Sequence, residues 1–171
     1  MTDSLTRPNL DQIRTWLDDV PDPEVPVVSV TDLGIVRDVR WDDDELVVAI
    51  TPTYSGCPAT SVIALDIEMA LRAKGLNNLR IERRLSPPWT TDWITQEGRQ
   101  RLQAYGIAPP AEEKADKPSP FDRFLRKPLT IACPRCGSEN TARISEFGST
   151  PCKAQYQCRA CLEPFDYFKC I

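Results

Sequence analysis

The feature that most constrains this chain lies near its C-terminal end, where Cys133-Pro-Arg-Cys136 is answered by Cys158-Arg-Ala-Cys161. A Cys-x-x-Cys knuckle turns two thiolates toward one point, and two knuckles make a tetrahedral four-sulfur site. The segment between them reads as a hairpin. Residues 129–171 are too few to build a self-sufficient core, so a bound metal must supply folding free energy. Structural zinc is the main reading; a rubredoxin-like iron or a cluster is the minority one. A redox role for either pair explains less, because the four cysteines have a better joint explanation. Cys152 and Cys170 are left over. Extended parity sets Cys152 on the same side as Cys158, and both extra thiols read first as buried structural groups, with added metal ligation or a redox pair as alternatives.

The chain has seven cysteines and no histidine, so any metal site must be built from cysteine or carboxylate. Its start, Met1-Thr-Asp-Ser-Leu5, lacks the basic and apolar run of a signal peptide, and no 18-residue apolar stretch is present. A cytoplasmic, reducing address without membrane contact is expected, where cysteines serve as ligands or reactive thiols before disulfides. The net charge of −4 is uneven: residues 1–107 carry 11 Lys/Arg against 17 Asp/Glu, whereas 108–128 and 129–171 each carry 5 against 4. No stretch has the basic excess that phosphate binding needs, so nucleic acid is not an expected partner.

Read in order, Thr6-Arg7-Pro8 starts a helix with Leu10, Ile13, Leu17 and Val20 at helical spacing. Pro21, Pro23 and Pro26 end it, and Asp22-Pro23-Glu24 puts two carboxylates in a stiff loop. Val30-Thr-Asp-Leu-Gly34 is expected as a turn. Ile35–Trp41 and Glu45–Thr51 read as a hairpin around Asp42-Asp43-Asp44, a solvated tip in preference to a weak hard-cation site. A helix over Pro58–Lys74 buries Val62, Ile63, Ile67, Ala70 and Leu71 and stops at Gly75. Asn78–Leu85 is expected as a third strand, Ser86-Pro-Pro-Trp89 breaks it, and a helical segment within Thr91–Tyr105 closes at Gly106. Trp89 and Trp93 are expected to pack rather than dock partners. The result is a small α+β domain over 1–107 with its sheet covered on one face, a Pro- and charge-rich linker over 108–128, and a β-rich zinc ribbon over 129–171. Phe121-Asp-Arg-Phe124-Leu125 within the linker reads as a short helix or a staple docking the two halves.

Inside the first domain, Thr51-Pro-Thr-Tyr-Ser-Gly-Cys57-Pro58 joins an apolar strand to the amphipathic helix. Gly56 frees the turn and Pro58 suits the first helical position, which sets Cys57 beside the helix N-terminus. Unpaired N–H groups and the positive end of the dipole bias a thiol there toward thiolate. The equal alternative is a small buried hydrophobe.

Residues from about 10 to 107 resemble the iron–sulfur assembly domain of SufT and the cytosolic iron–sulfur targeting proteins. The resemblance rests on Asp22-Pro-Glu24, Asp32-Leu-Gly34, Thr51-x-Thr53-x-x-Gly-Cys57-Pro58 and Pro87-Pro-Trp89. Over nearly its full length, including Ser145-Glu-Phe-Gly-Ser-Thr-Pro-Cys152-Lys-Ala and Glu163-Pro-Phe-Asp-Tyr-Phe-Lys-Cys170, the chain resembles the phenylacetate-degradation D family. These are accessory subunits of a bacterial phenylacetyl-CoA ring-epoxidising monooxygenase. The resemblance implies a helper of metal-centre maturation, with the di-iron oxygenase and iron–sulfur reductase subunits as partners. Cys57 would transiently hold iron or an iron–sulfur cluster, Asp22 and Glu24 would be its carboxylate neighbours, and Thr51 and Thr53 its hydrogen-bonding ones. One thiolate per chain is too few for a cluster, which favours a homodimer or a client complex. The competing expectation is an adaptor in which zinc folds the ribbon and Cys57 is inert; a thiol oxidoreductase is a third. An oxygenase activity of its own is least expected, since no Glu-x-x-His pair exists without histidine and no Gly-rich dinucleotide fingerprint is present.

Overall fold

A computed structural model describes residues 7–110 and 130–169 and divides the chain into two compact units, Met1–Trp89 and Thr90–Ile171. In the first unit Asn9 caps helix α1 (Leu10–Asp18), its side-chain oxygen accepting the Gln12 N–H at 2.7 Å. Strands β1 (Val36–Asp42) and β2 (Glu45–Ile50) form the expected hairpin, with Asp43 at φ 49° in its tip. Helix α2 (Thr60–Ala73) then crosses over to β3 (Leu79–Arg83), which pairs parallel to β2. The sheet order is β1-β2-β3.

The two faces of that sheet are covered differently. Val39, Val48 and Ile81 share one apolar cross-strand row, and α2 contributes the buried apolar groups Ile63, Ile67 and Leu71 to the core. On the opposite side Arg40, Val47 and Arg80 share a row, as do Asp38, Ala49 and Glu82. Val47 and Ala49 are nevertheless wholly buried, beneath an ion-pair lattice in which Arg40 bonds Asp38 (2.8 Å) and Glu82 (2.7 Å) and Arg84 bonds Glu82 (2.7 Å). Arginine stems therefore do the work of a second helical layer. This explains why β2 is buried along Leu46–Ile50 rather than on alternate residues.

The second unit opens with a 3₁₀ turn (Thr91–Trp93) and helix α3 (Gln96–Tyr105), capped by Thr95 and closed by Gly106 at φ 94°. Strand β4 (Ile107–Ala108) follows directly, and it pairs parallel with β7 (Pro164–Phe168). Strands β5 (Thr141–Ser145) and β6 (Lys153–Cys158) complete a sheet of order β4-β7-β6-β5. The chain thus divides earlier than residue 107. Ala108 packs into the small ribbon core with Ile131, Cys133, Ala154, Cys158, Phe165 and Tyr167, so α3 and β4 serve the ribbon. Cys170, Phe121–Leu125 and residues 111–128 of the linker lie outside the described residues.

The chain is α+β, as the sequence pattern implies, and among the described residues no helix is long and apolar enough to cross a membrane. Trp89 packs as expected, 4 % exposed, and its indole N–H donates to the Leu33 carbonyl at 2.8 Å.

Candidate functional site

The ribbon site is built from backbone upward. In the first knuckle the Gly137 N–H donates to the Cys133 carbonyl (2.9 Å), with Gly137 at φ 73°, where a side chain would be strained. The Cys133 N–H donates to the Ser138 carbonyl, and in the second knuckle Cys158 N–H donates to the Glu163 carbonyl, each at 2.9 Å. These turns bring the sulfurs of Cys133, Cys136, Cys158 and Cys161 within 4.8 Å of one another. Cys136 and Cys158 are 3.6 Å apart and Cys133 and Cys161 3.8 Å. A tetrahedron with metal–sulfur bonds of about 2.3 Å has edges of about 3.8 Å, so the arrangement fits one zinc-sized ion.

The protonation pattern says the same. The Cys161 and Ala160 backbone N–H groups and the neighbouring sulfurs pull the Cys158 thiol down to about 6. At Cys136 the Ser138 N–H pulls downward, but the sulfurs of Cys161, Cys158 and Cys133 together with burial win and push it up to about 12. Thiols this close cannot all ionise by themselves; a cation removes the conflict. Cys152 is not a member of the four-sulfur group. It is buried, with its Sγ 3.1 Å from Thr150 Oγ1.

The second site lies in the first unit and is assembled from loops. Asp22 is buried at 5 % exposure, and one of its carboxylate oxygens accepts the Glu24 and Val25 N–H groups at 2.9 and 2.8 Å. Ser29 and Asp32 satisfy each other's backbone N–H groups, both at 3.0 Å, in a reciprocal capping arrangement. Gly34, at φ 64°, closes that turn. The Trp89 bond to Leu33 and the Thr51 N–H bond to the Ile35 carbonyl (2.8 Å) fasten the same loop from two other directions. Every motif that carries the resemblance is therefore tied into one loop system. Thr51 and Thr53 are both buried within it.

Cys57 sits at the rim of this system, half-buried, 3 residues before the first residue of α2. The helix starts at Thr60 rather than Pro58, because Pro58 and Ala59 form a separate turn in which the Thr60 N–H and hydroxyl both donate to the Cys57 carbonyl, at 3.3 and 2.8 Å. Gly56 is not in a left-handed conformation, and a Cβ there would meet the Tyr54 ring only at an ordinary contact distance of 3.6 Å, so the freedom expected of this glycine is not used by the turn. The expected bias of Cys57 toward thiolate is corrected by the structure. Burial pushes the thiol up, the Ala59 backbone N–H pulls it down, and Glu24 and Asp22 add to the upward shift, with Thr60 opposing. Helix-end donors are present as anticipated, but desolvation and two carboxylates outweigh them. Nor do Cys57, Asp22 and Glu24 make a ready cage: among the described residues only the four ribbon cysteines gather at metal-ligand spacing.

Sequence reasoning had no signal for Thr60, whose hydroxyl holds the turn. Its position directly after Pro58-Ala59 at a helix start is the only clue the sequence offers.

Comparison with known proteins bears on both sites. Residues 117–169 match the family described as PaaD zinc beta ribbon domain, and residues 10–79 match that described as iron-sulfur cluster assembly protein. The Escherichia coli (strain K12) protein assigned as the D component of 1,2-phenylacetyl-CoA epoxidase is 45% identical over 98% of this chain and 97% of its own length. An Fe-S protein maturation auxiliary factor of Porphyromonas gingivalis (strain ATCC BAA-308 / W83) is 34% identical over 54% of this chain and 89% of its own. Among solved structures, a domain of unknown function, DUF59, from Bacillus anthracis superposes with a TM-score of 0.50 at 27% identity, covering 54% of this chain and 89% of that one.

Proposed function

The chain belongs to the family of phenylacetyl-CoA epoxidase D components, and on that premise we propose that it is an accessory subunit that helps load the iron or iron–sulfur centre of that monooxygenase system. The observation that carries this reading is the setting of Cys57, a half-buried thiol at a loop rim with Glu24 and Asp22 acting on it. It lies within the region matching iron–sulfur assembly proteins.

A thiol raised by neighbouring carboxylates stays protonated while vacant, yet the same negative field attracts a cation. An arriving iron ion displaces the thiol proton and takes the sulfur as a ligand, with Glu24 the nearer carboxylate in electrostatic effect. Because these groups do not gather into a closed set, the cargo is held by few ligands and leaves readily. A client protein or a second copy of the chain supplies the rest. Asp22 acts mainly by fixing the loop that carries Glu24, and the buried Thr51 and Thr53 serve as hydrogen-bonding neighbours of the site. The ribbon, holding one zinc on Cys133, Cys136, Cys158 and Cys161, serves as the docking module toward the oxygenase and reductase subunits. That zinc supplies folding free energy rather than chemistry.

The adaptor reading, in which Cys57 has no part, draws on the upward shift of that thiol, which makes it a poor nucleophile when vacant. Cys57→Ser separates the two. Under the loading reading, cells carrying this variant keep normal levels of the protein but lose cluster or iron content in the reductase or oxygenase, and epoxidation falls with it. Normal metal content and normal activity would leave the adaptor reading standing.

A further inference from the structure

The ribbon's four sulfurs are not equivalent. Cys133 and Cys158 are buried, at 2 % and 0 % exposure, whereas Cys136 and Cys161 are exposed. Each exposed sulfur lies in contact with the buried sulfur of the opposite knuckle, Cys136 against Cys158 at 3.6 Å and Cys161 against Cys133 at 3.8 Å. The knuckles are held together by more than their ligands: the ion pair from Arg135 to Glu163 (2.7 Å) ties the first knuckle to the segment following the second. The Arg159 N–H also donates to the Asn140 carbonyl at 2.8 Å. These contacts keep the cross-knuckle pairs opposed in the folded ribbon, so each exposed sulfur has its buried partner at hand as soon as it is oxidised.

We propose that the ribbon is a peroxide-responsive metal site, in which oxidation begins at exposed Cys136 and Cys161 and ends in two cross-knuckle disulfides, Cys136–Cys158 and Cys133–Cys161. Oxidation of cysteine follows thiolate character and access, and metal-bound sulfur at the surface has both. In the first step the Cys136 thiolate attacks one oxygen of hydrogen peroxide. The O–O bond breaks, hydroxide leaves and takes a proton from water, and the sulfur becomes a sulfenic acid. The Cys158 thiolate then attacks that sulfur; the S–S bond forms, the S–O bond breaks, and hydroxide again leaves as water. Two thiolates are oxidised by one electron each, one peroxide is reduced to two waters, and solvent supplies the protons. Cys161 and Cys133 repeat the sequence with a second peroxide. The metal, having lost its ligands, is released. None of this chemistry requires a role for Cys57.

The sequence makes the test direct. Trypsin cuts after Arg135 and after Arg159, inside each knuckle, and so places all four ribbon sulfurs on different peptides. The zinc-loaded full-length chain is titrated with hydrogen peroxide, zinc release is followed with a chromogenic chelator, and remaining thiols are alkylated before digestion and mass spectrometry. The expected result is loss of the bound zinc on consumption of two peroxides per ion, with Cys136–Cys158 and Cys133–Cys161 peptide pairs and recovery of zinc binding after dithiothreitol. Disulfides confined to Cys133–Cys136 and Cys158–Cys161 would overturn it. So would zinc retained under excess peroxide, or oxidation restricted to Cys57, Cys152 and Cys170.

Discussion

Cys158 and Cys57 are thiols of one chain placed in opposite surroundings. Cys158 is wholly buried, yet backbone N–H groups from Cys161 and Ala160 and the adjoining sulfurs pull it down to about 6. Cys57 is only half-buried, yet burial and the carboxylates of Glu24 and Asp22 push it up. The first environment gathers donors and ligands so that a cation is compulsory. The second gathers negative charge around a single thiol, so that a cation is welcome but not needed for the fold. A permanent site and a transient one differ here in whether the protein stands without the metal.

The sharpest way to break that contrast is to remove the ribbon's metal. A structural zinc ion contributes about 10–16 kcal/mol, comparable with or above the whole stability of a small domain. Chelation, or Cys158→Ser, is expected to abolish hydrogen-exchange protection over 131–168 while residues 10–89 keep theirs. If the ribbon strands stayed protected without metal, the small core of Phe165, Tyr167 and their neighbours would have to be sufficient alone. The converse perturbation is Ile67→Ala, which removes a fully buried side chain from the face of α2 that supplies the core. It is expected to destabilise the first unit by about 2–5 kcal/mol in denaturant unfolding and to leave zinc content per chain unchanged.

The same contrast explains how much could be read from residues alone. The ribbon was legible because metal-ligand spacing is a local rule: Cys133, Cys136, Cys158 and Cys161 announce their meeting through two short intervals. The hairpin was equally local, and so was most of the α2 stripe. Ile63, Ile67 and Leu71 are buried, whereas Val62, expected beside them, is 46 % exposed and Ala70 only half-buried, because the helix turns a narrower face inward. What sequence could not decide was the balance of influences on Cys57, where helix-end donors pull one way and burial with two loop carboxylates pulls the other. That sum depends on where Asp22-Pro-Glu24 folds back, which no periodicity encodes. The destination of α3 was hidden for a related reason. Ile107-Ala108 is too short to show a strand pattern, and only its pairing with β7 assigns the helix before it to the ribbon.

Acid separates the two regions more gently. Glu82 is held down to about 2 by its hydrogen bonds to Arg84 and Arg40, from an ordinary value of 4.5. A carboxylate with a lowered folded value contributes stability that is present above about 4.5 and lost as pH falls through about 2. Glu82→Gln should therefore lower the Tm of the first unit slightly at pH 7, the deficit shrinking between those limits and vanishing below them. The pair network is solvent-facing, so high salt should diminish the deficit. The ribbon responds to acid by another route, since protons compete with metal for its thiolates. A Glu82→Gln protein whose deficit persisted at pH 2 would show that the lattice stabilises through packing of the arginine stems over Val47 and Ala49, not through charge.

The smallest effect is the one closest to the proposed work of Cys57. After burial, the Glu24 carboxylate raises this thiol more than Asp22 does, whose oxygen is already engaged by two loop N–H groups. Removing the Glu24 charge should lower the thiol's pKa and enlarge its thiolate fraction near neutrality. Iodoacetamide is then expected to alkylate Cys57 roughly two- to threefold faster in Glu24→Gln at pH 7.5, with the gain disappearing at high pH, where both thiols are ionised. A small-molecule thiol added to each sample serves as the internal standard, and Cys158, buried and metal-bound, should stay unmodified in both proteins. Faster alkylation together with weaker retention of ferrous ion by the variant would show one carboxylate doing both jobs: restraining the vacant thiol and drawing in the cation. An alkylation rate equal to the unaltered protein would place the source of the upward shift in burial alone, and the acidic loop would lose its claim on the site.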